Sequence, residues 1–235
     1  MSEKIQDSRI DAMFNAGAHY GYSKTRRHPS TAPAIFTTKN KTDLINLERT
    51  VTELDTALEF VRTLSATGKT ILFVGVKPEA RLAIKNAGMA LDMPYVTERW
   101  IGGTLTNFPE IKKRIARLED LKQKREAGEL DKYTKKERLL LDREIDKLTL
   151  YFGGLTTLKK TPDAMIIVDT KKEHIAFTEA MKAHVPVIGI SNTDCDIREI
   201  DYPIIANDAS QSSITFFIEA IAEAYKTALK PTATA

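Results

Sequence analysis

Short runs of apolar residues rich in Val and Ile recur along the chain, and segments long enough for amphipathic helices separate them. The predicted strands are 70–76, 165–169, 187–190 and 203–206, and the predicted helices are 79–91, 173–184 and 211–229. Strands that are apolar on both faces and alternate with helices are typical of a parallel sheet covered on both sides. With right-handed crossovers, this pattern predicts an α/β fold with an open, doubly wound parallel sheet of the Rossmann or flavodoxin-like type.

A highly charged segment over residues 109–150 interrupts this alternation, because it contains no strand-like run. Its apolar residues recur at the three- and four-residue spacings of coiled-coil seams, first at Ile111, Ile115 and Leu118 and then at Leu141, Ile145, Leu148 and Phe152. Between the seams, Gly128 can end one helix, and Thr134 with Glu137 can form a capping box for the next. We therefore predict a protruding antiparallel helical hairpin, a coiled coil, at 109–150.

This hairpin divides the predicted domain organisation. Residues 1–108 and 151–229 are predicted to form one α/β parallel-sheet domain, with the hairpin inserted between its two parts. The stretch up to Arg49 is interpreted as an amphipathic helix followed by a basic loop. Residues 230–235 have no apolar pattern and are predicted to be a disordered tail.

The charge balance and the cysteine content restrict the possible functions. The 235 residues include 35 Lys and Arg against 32 Asp and Glu, a net charge of +3, so nucleic-acid binding would need clustered cations. Cys195 is the only cysteine, which excludes an internal disulfide and a cysteine zinc site and fits a reducing cytoplasm. The sequence has neither a signal-peptide pattern at its start nor an apolar stretch of about 18 residues. We expect a cytoplasmic protein without membrane association.

Two segments partly resemble phosphate-binding motifs. Gly68-Lys69-Thr70 resembles the end of a P-loop, but Thr63 stands where the first glycine is needed, and the tripeptide precedes its strand instead of following it. A helix C-cap turn is the favoured interpretation. Residues 74–80 follow a predicted strand but hold only Gly75, whereas a dinucleotide fingerprint needs three glycines. No nucleotide or other cofactor is predicted.

Catalytic and metal-binding groups give weaker signals. His19, His28, His174 and His184 are scattered, and no Gly-x-Ser-x-Gly nucleophile elbow is present. Carboxylates follow predicted strands at Asp169, Asp194, Asp196 and Asp208, and with His19 they could bind a hard metal ion. Asn, Asp and Thr after a strand are more often turn formers and helix caps. No catalytic residue and no metal ligand is therefore predicted, although the metal remains an alternative.

Two other segments look like surfaces for RNA. Residues 20–29 place Lys24, Arg26, Arg27 and His28 beside the aromatic Tyr20 and Tyr22 in a predicted loop, and Lys39 and Lys41 follow. Cations bind phosphates, while aromatic faces accept bases or riboses. Residues 98–108 combine Trp100 with a glycine pair and small polar side chains. We expect the Trp100 ring to anchor the sheet edge, but packing explains the polar part of that loop less well.

Five motifs together resemble the bacterial small-subunit ribosomal protein S2 family. They are Arg-Trp-Ile-Gly-Gly-Thr-Leu-Thr-Asn-Phe at 99–108, Phe-Asn-Ala-Gly-Ala-His-Tyr-Gly at 14–21 with Arg-His-Pro at 27–29, and the segments 162–169, 189–196 and 202–209. The resemblance runs in order from about Arg9 to Tyr225. The chain has Tyr20 and Tyr22 where Phe and His are more usual in the family.

The resemblance implies a structural protein without enzymatic activity. It implies binding to small-subunit rRNA near the junction of head and body, contacts with neighbouring ribosomal proteins, and docking of the messenger-binding ribosomal protein one. Specificity is expected from rRNA shape, since A-form grooves hide base edges. The residues that we then expect to contact RNA are Lys24, Arg26, Arg27, His28, Lys39, Lys41, Arg99, Thr104, Thr106, Asn107, Lys112, Lys113, Arg114 and Arg117.

Overall fold

The computed structural model describes residues 8–229; the tail predicted at 230–235 lies outside them. The helices are α1 (Ser8–Asn15), α2 (Leu47–Ala66), α3 (Pro78–Leu91), α4 (Phe108–Glu126), α5 (Lys135–Phe152), α6 (His174–Lys182) and α7 (Gln211–Ala228). The strands are β1 (Tyr20–Ser23), β2 (Ile35–Lys39), β3 (Thr42–Ile45), β4 (Ile71–Val74), β5 (Tyr95–Val96), β6 (Ala164–Val168), β7 (Val187–Ser191) and β8 (Tyr202–Ile205).

The larger sheet is parallel and has the strand order β5-β4-β6-β7-β8. The chain proceeds outward from β4 in both directions, so the order reverses between β4 and β6, as in flavodoxin-like folds. The predicted strands are β4, β6, β7 and β8, and the predicted helices are α3, α6 and α7, which confirms the fold class. The two-residue edge strand β5 is too short to give a sequence pattern.

Alternate residues of each central strand enter two different cores. Ile71 and Phe73 of β4 pack under α2, α3 and α7, whereas Leu72 and Val74 pack on the other face with residues of α4, α5 and α6. This two-sided burial is the reason that the strands are apolar at nearly every position. The sequence interpretation predicted the C-cap turn after helix α2 but not the helix itself, although Asn46 caps its first turn at Glu48 and its buried residues recur at helical spacing.

A second, antiparallel sheet has the order β1-β3-β2. The prediction of a loop over residues 20–29 is therefore wrong for β1, which forms four residues of strand before a short 3-10 helix. The sheet was not expected because its strands are short and largely polar. Asn40 and Lys41, with φ of 51° and 65°, form the two-residue turn between β2 and β3, in the left-handed conformation that tight hairpins require.

Helices α4 and α5 pack against each other. Their predicted seam residues are buried, except Leu141, which is half-buried against the same core. Gly128 adopts a left-handed conformation after α4, and the Thr134–Glu137 capping box is present at the start of α5. The division of the chain into a sheet domain and an inserted, protruding hairpin stays a prediction.

Gly68-Lys69-Thr70 lies between α2 and β4, where Gly68 has a φ of 62° and the Lys69 N–H donates to the Leu64 carbonyl. This is the helix C-cap turn expected from the sequence. None of the helices within residues 8–229 combines the length and the apolar content that a membrane crossing would require.

Candidate nucleic-acid interface

Ligands of doubly wound sheets usually bind beyond the carboxyl ends of the strands, where the strand order reverses. In this protein that position holds a buried ion cluster. Lys77, just after β4, places its Nζ 2.5 Å from Asp169 Oδ2 and 2.8 Å from Asp208 Oδ2. The Asn192 side-chain amide donates to Asp208 Oδ1 at 3.1 Å. Burial alone would lower the pKa of the Lys77 ammonium, but the Asp208 and Asp169 carboxylates outweigh it and raise that pKa, so Lys77 stays charged at neutral pH.

The N-terminal segment covers this cluster. The Tyr22 N–H donates to Thr193 Oγ1 at 3.0 Å, and the His28 N–H donates to the Thr193 carbonyl at 2.8 Å. Gly21 is required here, because an added Cβ would lie 2.7 Å from Thr193 Cγ2 and 3.0 Å from the Asp43 carbonyl oxygen. The chain's own side chains and backbone therefore occupy the usual ligand crevice of this fold.

The carboxylates considered as metal ligands all have cationic partners. Asp194 binds Arg26 at 3.1 Å and Lys171 at 3.0 Å, and Asp196 binds Arg198 at 2.6 Å. His19 lies elsewhere, stacked on the Phe14 ring and in tilted contact with the Tyr20 ring. Over residues 8–229, no three His, Cys, Asp or Glu side chains are grouped as a metal site requires.

A buried carboxylate organises the loop that carries the 99–108 motif. Glu179 of α6 accepts hydrogen bonds at Oε1 from Trp100 Nε1 at 3.2 Å and the Gly103 N–H at 2.7 Å. At Oε2 it accepts from the Leu105 N–H at 2.9 Å and the Thr106 N–H at 3.3 Å. Burial alone would raise the pKa of Glu179, but these donors lower it below 4.5. The sequence interpretation missed Glu179, because nothing near it along the chain indicates a partner more than 70 residues away.

Internal packing therefore explains Thr104, contrary to our expectation for the polar part of this loop. Thr104 is 1% exposed, and its hydroxyl donates to the Ile101 carbonyl at 2.6 Å. In this conformation Thr104 offers no atom to a ligand. Arg99, Thr106 and Asn107 are exposed and remain open to contact from outside. As expected, the Trp100 ring is buried in the core.

Arg27 and His28, in the first segment expected to bind RNA, make contacts inside the protein. Arg27 forms a bidentate pair with the fully buried Asp43 and donates to Thr38 Oγ1 at 2.9 Å. Hydrogen bonding from this guanidinium lowers the pKa of the Asp43 carboxyl. His28 places Nδ1 2.7 Å from Ser30 Oγ and begins the 3-10 helix at Pro29.

Arg26 lies closer to solvent, with 55% of its side chain exposed. Its guanidinium lies 4.2 Å from the centre of the half-buried Tyr22 ring and also binds Asp194. Since Asp194 keeps Lys171 as a second partner, Arg26 can turn toward an outside anion without leaving a buried charge unpaired.

Three exposed lysines lie together at one end of the small sheet. The Lys24 N–H donates to the Lys41 carbonyl at 2.9 Å, and Lys39 pairs with Thr42 across the β2–β3 ladder. Within the described part of the chain, the side chains of Lys24, Lys39 and Lys41 form no ion pair. Their charge is therefore available to a partner.

The cations expected on α4 divide into two kinds. Lys113 binds Glu110 at 2.6 Å, and Arg117 binds Glu144 of α5 at 3.2 Å. Lys112 and Arg114 are exposed, and neither has an ion-pair partner among residues 8–229. Of these four cations, only Lys112 and Arg114 can bind a phosphate without first breaking an ion pair with a carboxylate.

Comparison with known proteins gives a consistent result. The profile of the family described as ribosomal protein S2 matches residues 13–228. The chain is 42% identical over 212 residues to the small ribosomal subunit protein uS2 of Nocardia farcinica, covering 90% of this chain and 74% of that protein. It is 41% identical over 212 residues to the small ribosomal subunit protein uS2 of Leifsonia xyli subsp. xyli, covering 90% of this chain and 71% of that one.

Proposed function

The chain belongs to the ribosomal protein S2 family, and from that membership we propose that it binds small-subunit rRNA through exposed cations of its N-terminal sheet and of α4. Members of this family are structural components of the cytoplasmic ribosome. The chain is accordingly a ribosomal protein with a role in translation, and it is not an enzyme.

The lysine group of Lys24, Lys39 and Lys41 carries the proposal of an rRNA contact. Three exposed ammonium groups at one end of a small sheet repel one another unless an anion lies nearby, and a phosphate backbone supplies such anions at regular spacing. Arg26 adjoins the group through the 3-10 helix that follows β1. These contacts would hold the protein in place on the RNA without reading base sequence.

Helix α4 and the 99–107 loop supply the second part of the proposed interface. Lys112 and Arg114 lie in the first turns of α4, directly after the exposed Thr106 and Asn107. The side chains of Thr106 and Asn107 would bond to sugar or phosphate oxygens, and Arg99 would add a charge on the same loop. Arg27 and Thr104 are left out of this interface, because the fold uses their polar atoms internally.

We further propose that the protein sits near the junction of the subunit's head and body, beside neighbouring ribosomal proteins. It would there support docking of the messenger-binding ribosomal protein one. The resemblance of the motifs to the family is the support for these two finer statements.

Sedimentation of the tagged protein from cell lysate through sucrose gradients tests the rRNA contact. We expect the protein to migrate with small subunits at low salt and to be released at high salt. A variant with Lys24, Lys39 and Lys41 replaced by Glu should migrate as free protein at low salt. Replacement by Gln should reduce the dependence of log affinity on log salt by about 2 to 3, since each lost phosphate contact removes about 0.7 to 0.9.

A matched control changes three lysines that lie before strands of the parallel sheet, away from the small sheet that carries the lysine group. Lys69, Lys159 and Lys182 are exposed and precede β4, β6 and β7 respectively, so their replacement by Glu should leave sedimentation unchanged. Normal small-subunit association of the first triple variant would contradict the proposed contact.

A further inference from the structure

Three aromatic rings form a stack on the surface of the N-terminal region, in which the third ring is tilted against the other two. The Phe14 and His19 ring centres lie 4.3 Å apart with nearly parallel planes, and the His19 and Tyr20 ring centres lie 4.0 Å apart with an angle of 39° between their planes. Phe14 is 57% exposed and Tyr20 is 53% exposed. Single exposed apolar residues are common on protein surfaces and need no explanation. A stack whose two outer rings are both exposed is a stronger indication of a binding surface.

Local backbone structure builds this stack. Helix α1 ends in a Schellman motif, in which the Ala18 N–H donates to the Met13 carbonyl and the Gly17 N–H donates to the Phe14 carbonyl. Gly17 has a φ of 73°, which glycine adopts without steric cost. The chain therefore turns back at Gly17, and His19 comes to lie against Phe14.

The stack continues onto the outer face of the small sheet. In one row across the sheet, Leu44 of β3 pairs with Tyr20 of β1 and with Thr37 of β2. In another row, Thr42 of β3 pairs with Ser23 of β1 and with Lys39 of β2. Asp43, between Leu44 and Thr42, is buried on the inner face. Because strand side chains alternate between faces, Tyr20 and Lys39 share the outer face, in rows about 7 Å apart.

We propose that this outer face binds a single-stranded segment of RNA, in which an unpaired base stacks on an outer ring of the Phe14–His19–Tyr20 stack and Lys39 neutralises a phosphate of the same strand. The inference rests on the proposed function and specifies the form of RNA that this surface binds. Aromatic faces accept unstacked bases of any identity, whereas an A-form duplex presents its backbone and has no free base face for a ring. The lysine group at the end of the same sheet gives the charge complementarity that a nucleic acid requires.

His19 adds to this argument as the middle ring. Its Nδ1 is buried without a hydrogen-bond partner within the described residues, and burial lowers the pKa of the imidazole. The ring is therefore neutral at pH 7, and it supports the outer rings through stacking without adding a charge.

Direct binding to the intact protein tests the proposal. The probes are a single-stranded oligoadenylate of about 12 nucleotides that carries 2-aminopurine, and an RNA duplex of the same length. Binding at low salt should quench the 2-aminopurine fluorescence through stacking. Replacing Tyr20 with Leu, or Phe14 with Leu, keeps apolar bulk but removes one outer ring. We expect at least one of these variants to bind the single strand roughly 5- to 150-fold more weakly, as for loss of one stacked base, and to lose the quenching.

A matched control replaces Tyr133, which is 40% exposed in the connection between α4 and α5, with Leu. This variant should bind both probes as the unchanged protein does. Circular dichroism checks that each variant is folded, and Phe14→Leu, on the exposed side of α1, serves if Tyr20→Leu does not fold.

Several results would overturn the inference. They are unchanged quenching in both variants, an equal loss of affinity for the duplex, and no binding of the single strand by the unchanged protein. Normal RNA binding combined with lost small-subunit sedimentation would instead assign the stack to a protein partner. In each of these cases the proposed function still stands if the unchanged protein sediments with small subunits, and it fails only if that association is absent.

Discussion

Replacing Glu179 with Gln removes the negative charge around which the 99–107 loop is folded. The side chain is isosteric, so the change creates no cavity. The carboxylate now accepts from Trp100 and Gly103 at one oxygen and from Leu105 and Thr106 at the other. Glutamine keeps one carbonyl oxygen and turns the other position into an N–H₂ donor, so at least two of these donors lose their acceptor.

The expected cost follows from the number of orphaned donors. A hydrogen bond to a charged group contributes about 1.5–3 kcal/mol, and a buried donor without an acceptor costs about 1–3 kcal/mol. Two such hydrogen bonds lost give a decrease of about 3–6 kcal/mol in the free energy of unfolding. That is a large part of the roughly 5–15 kcal/mol of a typical domain.

Urea unfolding monitored by circular dichroism measures this decrease, with an unchanged m-value as the sign that the folded state is otherwise intact. The fluorescence of Trp100, the only tryptophan, reports the loop directly. The matched control is Glu59→Gln, an exposed carboxylate on α2, which should change stability by less than about 0.5 kcal/mol. A Glu179→Gln effect as small as that of the control would refute the role assigned to this carboxylate.

The pH dependence gives a second check. The pKa of Glu179 is lowered below 4.5 in the folded protein, so its stabilising contribution is fully present above pH 4.5. That contribution is lost as the pH falls through the folded-state pKa. The stability difference between the unchanged protein and Glu179→Gln should therefore shrink on acidification below pH 4.5.

Further substitutions and one labelling experiment test the other buried groups. Lys77→Met should lower the free energy of unfolding in urea by about 3–5 kcal/mol at pH 7, because two buried carboxylates lose their counter-charge; an unchanged midpoint would contradict this. Arg27→Ala should lower the free energy of unfolding by about as much, since it leaves the fully buried Asp43 unpaired. Arg26→Ala should lower it by less than about 1 kcal/mol, because its carboxylate partner keeps a second cation. Equal decreases for the two variants in the same assay would contradict this difference. Burial raises the pKa of Cys195 to about 11, so a thiol reagent at pH 8 should label it only after unfolding, and rapid labelling of the native protein would show that the site opens.

Local sequence signals predicted much of the fold because their physics is local. The apolar strands, the glycine and capping-box ends of helices, and the seams of α4 and α5 each depend on residues within a few positions of one another. The antiparallel sheet escaped prediction because β1, β2 and β3 are short and mostly polar. For helix α2 only the C-cap turn at its end was predicted, although its Asn46 cap and its apolar spacing are also present in the sequence.

The candidate site was harder to predict, because a cation in the sequence carries no sign of its partner. Lys24, Lys39 and Arg27 look alike along the chain, yet only Arg27 has its charge neutralised by a buried carboxylate. Thr104 and Thr106 belong to one motif, yet the first is buried and the second exposed. The tertiary structure separates the residues that build the surface from those free to contact RNA.

The sequence by itself determined the fold class, since a strand buried on both faces is apolar at nearly every position, and this leaves a pattern that can be read without a structure. Only the tertiary structure decided the polar interior. Lys77 meets Asp208 across 131 positions of sequence, and Glu179 meets the 100–106 loop across more than 70. Hydrogen bonds and ion pairs depend on distance in space, and folding sets that distance for groups whose spacing along the chain has no period.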